Sequence, residues 1–402
     1  MVDQLFGSDD RDHLGICVKM MQTWKNKRIL IIGAARQGTA LARYLAQQGA
    51  VVVLNDHRTR PNMVEVMESL SDVPIEWALG GHPLSLLDGV ELVCPSGGVP
   101  LELPIISEAV RRGIPLSNDS QIFLEICPCP VIGITGSAGK TTTTTLVGRI
   151  AQFATQSPTS NLHKALVGGN IGNPLISAVE ELTNNDLAIM ELSSFQLDIM
   201  SQSPPIGAVL NITPNHLDRH PTMEAYTRAK ANNIAFQGTE DTAVLGRDDA
   251  GAWNLADQVK GKLITFGQAA VRALLSHPRW VADVHLRGDE IVIWDGKRAE
   301  SVLSRSEILL RGEHNLLNVL AACAISSAAG LPAEAMRSGV MGFGGVPHRL
   351  EFVRTINGAD WYNDSIATAP ERAMAGIRAF DEPLVLLAGG RDKNCLGMLL
   401  PS

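Results

Sequence analysis

No extended run of lysines or arginines occurs in the 402 residues, and acidic side chains outnumber basic ones 42 to 34, for a net charge of −8. Such a balance repels nucleic acid and anionic lipid. Cysteine is scarce. The six present (Cys17, Cys94, Cys127, Cys129, Cys323, Cys395) are too sparse for a disulfide scaffold. Cys127-Pro128-Cys129 falls one residue short of a zinc-binding CxxC, so a reducing cytoplasm is the expected setting. Long apolar runs are missing too. The most apolar stretch, residues 316–331, is broken by Asn318, Ser326 and Ser327 and is shorter than the ~20 residues a spanning helix needs, so no membrane segment is expected. Residues 1–20 place Asp9, Asp10 and Asp12 ahead of any apolar run and lack the basic start of a secretion signal. Residues 1–26 therefore read as a tail, with Met20 or Met21 as alternative starts.

What remains is a folded chain: 45% hydrophobic, 19% charged, with 37 Gly and 21 Pro, long enough for two to four domains. Residues 28–34 form an apolar run closed by glycine, 39–48 have helical spacing, and 51–54 are apolar again, which makes a βαβ unit. The pattern continues through 92–94, a helix at 105–112 and a short strand at 114–116. Residues 27–126 thus read as a parallel α/β domain, ended by the Cys-Pro-Cys-Pro punctuation at 127–130. Beyond it come a strand at 131–135, a glycine-rich loop and a helix from Lys140, then apolar strands at 187–192 and 208–213. Residues 280–293 alternate like an antiparallel edge piece, and 315–329 read as a buried helix. The Gly342-Phe343-Gly344-Gly345 cluster marks a second boundary, so 127–341 is one domain. The remaining 342–402 hold a strand or hairpin arm at 351–362, a helix at 368–380 and a strand at 383–388. Those 61 residues are short for a whole α/β domain, and the expectation is a partial third one.

The strongest local signal is Gly133-Ile134-Thr135-Gly136-Ser137-Ala138-Gly139-Lys140-Thr141-Thr142. Between a strand and a helix, such glycines let backbone N–H groups turn inward on phosphate oxygens. Lys140 neutralises the β- and γ-phosphates, and Thr141 can hold Mg²⁺. The strict GxxxxGK[ST] pattern fails by one residue, so the loop is a variant ATP-binding type. Glu191 and His216 follow the ends of two central strands, at the edge where a parallel sheet presents its ligands. Taken alone, His216 is better explained as a structural histidine, and Lys230 as a solvated cation on an acid-started helix.

TGSAGKTTT resembles the Mur ligase family, the ATP-dependent amide-forming enzymes of peptidoglycan synthesis, and their folylpolyglutamate synthase relatives. Segments in the family's order agree with it: Glu191 to Gln196 in ELSSFQL, Asn211 to His220 in NITPNHLDRH, Tyr226 to Lys230, Gly312 to Asn318, Pro347 to Glu351, and Asn363-Asp364-Ser365. The resemblance covers residues 27–393, and the ELSSFQL wording points to the branch that joins D-glutamate to UDP-N-acetylmuramoyl-L-alanine. It implies an α/β, three-domain architecture: a Rossmann-like N-terminal domain, a central P-loop ATPase domain with a mostly parallel sheet, and an incomplete Rossmann-like C-terminal domain.

The resemblance also implies roles. ATP falls to Gly133, Thr135, Gly136, Ser137, Ala138, Gly139, Lys140, Thr141 and Thr142, with Asn318 on adenine, Asn315 one helical turn before it, Arg349 on phosphate and Asp364 near the ribose. Two Mg²⁺ ions are expected on Thr141, Glu191, His216 and Lys230, the lysine carrying a CO₂-derived carbamate. Lys140, Glu191, His216 and Lys230 make up the catalytic set. The UDP-substrate is assigned to Arg36, Gln37, Asp56, Arg58, Ser96 and Gly97, and its muramoyl-alanine arm to Asn170, Ser193 and Gln196. The stretch Gly33 to Gly38 followed by Asp56 also imitates a dinucleotide fingerprint, but its middle glycine is Ala35, which weakens an NAD reading.

Two departures stand out. Ile366 follows Asn363-Asp364-Ser365 where the family often has lysine, leaving Lys393 as the cation for the incoming amino acid. Residues 394–402 resemble nothing in the family, as a truncated reading frame would, so a catalytically crippled nucleotide-binding remnant stands beside the ligase reading. A sibling ligase or a folylpolyglutamate synthase-type amide ligase is a further alternative, the folate reading being disfavoured by the Gly33/Asp56 α/β unit. The expected state is a monomer.

Overall fold

The computed structural model describes residues 24–214, 220, 222–270, 276–368 and 370–389. A four-stranded sheet comes first, from β1 (Arg28–Ile32), β2 (Val51–Asp56), β3 (Ile75–Leu79) and β4 (Leu92–Pro95), all parallel in the order β3-β2-β1-β4. The apolar run of β1 is buried on both faces, with Ile29 and Ile31 in one core cluster and Leu30 and Ile32 in another. The turn after β1 is tight. A Cβ at Gly38, near the start of the helix Arg36–Gln47, would lie 1.9 Å from the Gly33 carbonyl oxygen, so only glycine lets the helix start this close to the strand.

The second sheet has nine strands: β5 (Val131–Thr135), β6 (Ala165–Gly169), β7 (Leu187–Glu191), β8 (Ile206–Val209), β9 (Thr242–Gly246), β10 (Lys262–Phe266), β11 (Trp280–Arg287), β12 (Glu290–Trp294) and β13 (Ala299–Ser304). Their order is β13-β12-β11-β10-β9-β8-β5-β7-β6, parallel from β6 through β11 and antiparallel beyond. The helices Lys140–Ala154, Glu313–Ala328 and Ala333–Val340 cover one face. The chain leaves β5 toward β7 and β6 on one side and returns to β8 and β9 on the other. The carboxyl end of β5 is therefore a topological switch point, where open α/β sheets form their ligand crevice.

The first and second sheets share a core cluster that runs from Ile29 and Leu54 to Val131, Ala188 and Met190. Near the C-terminal end, β14 (Glu351–Ile356) and β15 (Ala359–Asn363) form a hairpin through Asn357-Gly358, both at positive φ, and the helix Pro370–Ile377 follows.

Three expected strands change. Residues 114–116 contribute only a single bridge, Leu116 to Val93. The 280–293 segment is two strands, β11 and β12, of which β11 lies inside the sheet beside β10 and the edge falls to β13. Residues 383–388 form no strand. Leu384, Val385, Leu386 and Leu387 are all exposed there, because no neighbouring strand offers them a hydrogen-bonding edge among the described residues. Among the described residues no helix is long and apolar enough to cross a membrane.

Candidate active site

The glycine-rich loop joins β5 to the helix Lys140–Ala154 and is clamped from several distant segments. Asn211, just past β8, accepts from the Ala138 N–H (2.8 Å) and donates to its carbonyl (3.2 Å), and the Asn211 carbonyl accepts from the Ser137 N–H. Ser137 Oγ donates to the Thr213 carbonyl and lies 3.0 Å from the Tyr226 hydroxyl. Gly139 has φ +80°, and a Cβ there would meet Asn318 Oδ1 at 2.2 Å. The backbone at 139 is thereby fixed by an asparagine from another helix. Asn318 Nδ2 in turn donates to Asn315 Oδ1, so both asparagines back the loop.

Two lysines converge on one carbonyl. Lys140 Nζ donates to Gly136 O at 2.8 Å, and Lys230 Nζ donates to the same oxygen at 2.9 Å. Lys230 lies on the helix Met223–Ala231, is 1% exposed, and sits 4.7 Å from the centroid of the Tyr226 ring one turn earlier. Burial lowers its pKa well below the ordinary lysine value, and the neighbouring Lys140 lowers it further against the pull of Glu191. Lys140 itself is lowered to about 8, chiefly by burial.

Glu191, at the end of β7, is buried. Its Oε1 accepts from Asn170 Nδ2 at 2.8 Å, while Oε2 has no hydrogen-bond partner. Arg349 reaches Thr141 Oγ1 at 3.2 Å and keeps a buried, unpartnered Nε. An acceptor and a donor left open beside a glycine-rich loop at the start of a helix fit a phosphate chain with a hard cation. Mg²⁺ takes one or two protein oxygens and completes its shell from phosphate and water, so Thr141 and Glu191 suffice as protein ligands on this side. Among the described residues no three His, Cys, Asp or Glu side chains gather into a metal centre. His216 and Lys393 lie outside the described residues.

A cavity of about 410 Å³ opens in front of these groups, with the first sheet supplying one wall through Ala35, Arg36, Gln37, Gly97 and Gly98. The opposite wall is Lys140, Lys230, Asn170, Ser193, Phe195 and Tyr226, completed by Gly169, Gly172, Pro174 and Ser194. Arg36 spans the gap, donating to the Gly172 carbonyl at 2.9 Å.

The other expected substrate residues are placed less directly. Asp56 is buried and saturated: it accepts from the Ala34 N–H (2.9 Å) and from Arg58 Nε and Nη2 (2.9 and 2.8 Å), and Arg58 holds its carboxyl well below the usual range. Its geometry is that of an anchor for Arg58. Ser96 Oγ is spent on the Gly33 carbonyl. Gln196 is 1% exposed and closes a capping box with Ser193 while donating to Ser120 Oγ, so its amide faces protein. Asp364 Oδ1 accepts from the Leu350 N–H. Sequence reasoning passed over Asn211, Tyr226 and Phe195. All three stand in segments that carry the resemblance, but nothing local to those segments says that they clamp the loop or line the cavity.

Residues 134–326 match the model of the Mur ligase middle domain, and residues 27–118 match that of the MurD-like Mur ligase N-terminal domain. The UDP-N-acetylmuramoylalanine–D-glutamate ligase of Pelotomaculum thermopropionicum is 40% identical over 93% of this chain and 79% of its own length. That of Symbiobacterium thermophilum is 39% identical over 92% and 78%. Among solved structures, the UDP-N-acetylmuramate:L-alanyl-gamma-D-glutamyl-meso-diaminopimelate ligase of Neisseria meningitides aligns with a TM-score of 0.52 and 18% identity, covering 80% of this chain and 99% of that one. The murein peptide ligase of Psychrobacter arcticus gives 0.51 at 16% identity, covering 84% and 73%. At those identities the structures speak for the fold alone. With a phosphate loop at the switch point, a first-sheet wall facing it and relatives at this level of identity, the chain belongs to the Mur ligase family.

Proposed function

We propose that this chain joins D-glutamate to UDP-N-acetylmuramoyl-L-alanine, the two compounds in the name of its 40%-identical relative, with cleavage of ATP to ADP and phosphate. The observation that carries the reading is the cavity in which the first-sheet loops face Lys140 and Lys230. In this reading the first-sheet wall holds the nucleotide-sugar and the lysine wall faces ATP.

In this reading Arg36, Gln37, Gly97 and the Asp56-anchored Arg58 take the UDP portion. The muramoyl-alanine carboxylate extends along Asn170 and Ser193 toward the two lysines. The Gly133–Thr142 loop holds the triphosphate, Arg349 completes the cradle, and Asn318, Asn315 and Asp364 border the nucleoside. The carboxylate oxygen attacks the γ-phosphorus, the bond to ADP breaks, and an acyl phosphate results. The amino group of D-glutamate then adds to the acyl carbon, phosphate leaves, and the amine loses a proton. Carboxylate activation comes first because a free carboxylate is a poor acyl donor. Lys140 offsets charge on the transferring group. Burial lowers the Lys230 pKa and so favours the neutral amine that can add to CO₂, losing a proton to become an anionic carbamate. Thr141, Glu191, His216 and that carbamate would hold two Mg²⁺ ions, which supply charge neutralisation at the phosphates.

The three units assigned to these tasks are residues 27–126, 127–341 and 342–402, in a cytoplasmic monomer. Turnover with substrate ¹⁸O-labelled in the alanyl carboxylate tests the reading. One label per turnover should appear in released phosphate. Product formed with unlabelled phosphate, or no response of ATP hydrolysis to the UDP-substrate, overturns it.

A further inference from the structure

Away from the cavity, the chain crosses from the first sheet to the second once, through Cys127-Pro128-Cys129, and the two sulfurs of that crossing lie 3.4 Å apart. Cys127 ends the helix Asp119–Ile126, its N–H donating to the Phe123 carbonyl. Pro130, on the far side, accepts from the Ala188 N–H as β5 begins. Cys127 has the extended backbone that a following proline imposes (φ −64°, ψ 125°), and side chains two residues apart on such a segment share a side. A disulfide needs the sulfurs at ~2.05 Å, so closure requires a movement of about 1.3 Å within one turn of chain.

The two thiols are not equivalent. Cys129 is 6% exposed and packs in the cluster shared by both sheets, whereas Cys127 is only partly buried at its border. The hydrogen bond between them holds the Cys127 thiol below its ordinary pKa and pushes Cys129 up, with burial and the Asp186 carboxylate opposing the effect at Cys127. The other described thiols, Cys94 and Cys323, are fully buried, and burial pushes Cys323 up to about 12.

We propose that Cys127 and Cys129 form a peroxide-responsive dithiol, Cys127 reacting first and Cys129 resolving it. The Cys127 thiolate attacks one oxygen of a hydroperoxide. The O–O bond breaks, the sulfur is oxidised to sulfenic acid, and hydroxide (for H₂O₂) leaves. Cys129 sulfur then attacks the sulfenic sulfur, the S–O bond breaks, and the thiol proton leaves with that oxygen as water. One hydroperoxide is reduced by two electrons for each disulfide formed, and a dithiol reductant reverses the step.

The test treats the full chain, natively folded, with H₂O₂, quenches with N-ethylmaleimide and digests it for mass spectrometry. The expected peptide spanning 127–129 has lost two hydrogens, carries no maleimide, and regains two alkylatable thiols after dithiothreitol, while Cys94 and Cys323 are unoxidised. In Cys129→Ser, dimedone should capture a sulfenic acid on Cys127, and the corresponding adduct on Cys129 in Cys127→Ser should be about tenfold weaker. Full alkylation of both thiols in the peroxide-treated wild-type chain overturns the proposal. So does equal dimedone labelling of the two variants.

Discussion

The amino groups of Lys140 and Lys230 are aimed at one carbonyl oxygen, and burial outweighs the pull of the Glu191 carboxylate on both. Lys140 has a folded pKa of about 8 against an ordinary 10.5, so between those pH values the unfolded chain binds more protons than the folded one. Stability therefore rises with pH across that window, and below pH 8 the buried cation costs its full amount. Lys140→Met should flatten the rise and stabilise the apo chain at pH 7 by roughly 1–3 kcal/mol, with nucleotide binding lost. Urea unfolding at pH 7 and pH 10 reads both effects, and parallel pH profiles for the two proteins would contradict the assignment. The same residues show what a sequence discloses at this scale. Lys140 was legible because its chemistry is spelled out by adjacent glycines. The depressed pKa of Lys230 was not, since nothing in residues 223–231 announces that the Thr135–Gly136 turn and the Tyr226 ring close over it.

At the scale of elements, Asn233 ties the helix Met223–Ala231 to the sheet. Its Nδ2 donates to the Gly133 carbonyl at 3.0 Å and to the Ala208 carbonyl at 2.9 Å, bridging β5 and β8 one turn beyond Lys230. Asn233→Ala should cost roughly 2–4 kcal/mol, because two buried carbonyls lose their donor, and should slow turnover by letting Lys230 shift. The half-buried neighbour Asn232, which donates to Leu197, should cost under about 1 kcal/mol when replaced by alanine. Thermal melts and kcat for the pair check the contrast, and equal losses would refute it. The long buried helix Glu313–Ala328 and the buried strands β5 and β7 were readable as apolar runs, since both faces of such elements demand apolar side chains. By contrast, β3, β6, β9, β10 and β13 went unseen. β6 ends in Gly168-Gly169, and β3 alternates only weakly, so their strand character comes from neighbours. Residues 383–388 erred the other way, with strand composition and no partner.

Across the whole molecule, burial is uneven. One core cluster binds the first sheet to the second, whereas β14 and β15 make a sheet of only two strands, with Phe352, Val353, Ile356 and Trp361 exposed. Amides of that hairpin should exchange with deuterium at least about a hundredfold faster than those of β5 and β7. Strands of the first and second sheets should exchange at the slow limit together. Mass-resolved hydrogen exchange distinguishes this from independent opening of the first sheet, which would separate the two in rate. Contact between Arg349 and Thr141 closes a span of 208 residues, and the loop also waits on Asn211, Lys230 and Asn318. A ribosome adds about 5–20 residues per second, so the loop is translated roughly 10–40 s before its last partner emerges. During that interval β5, an apolar strand, has neither of its flanking strands at first, and a nascent chain in this state is a natural client for chaperones.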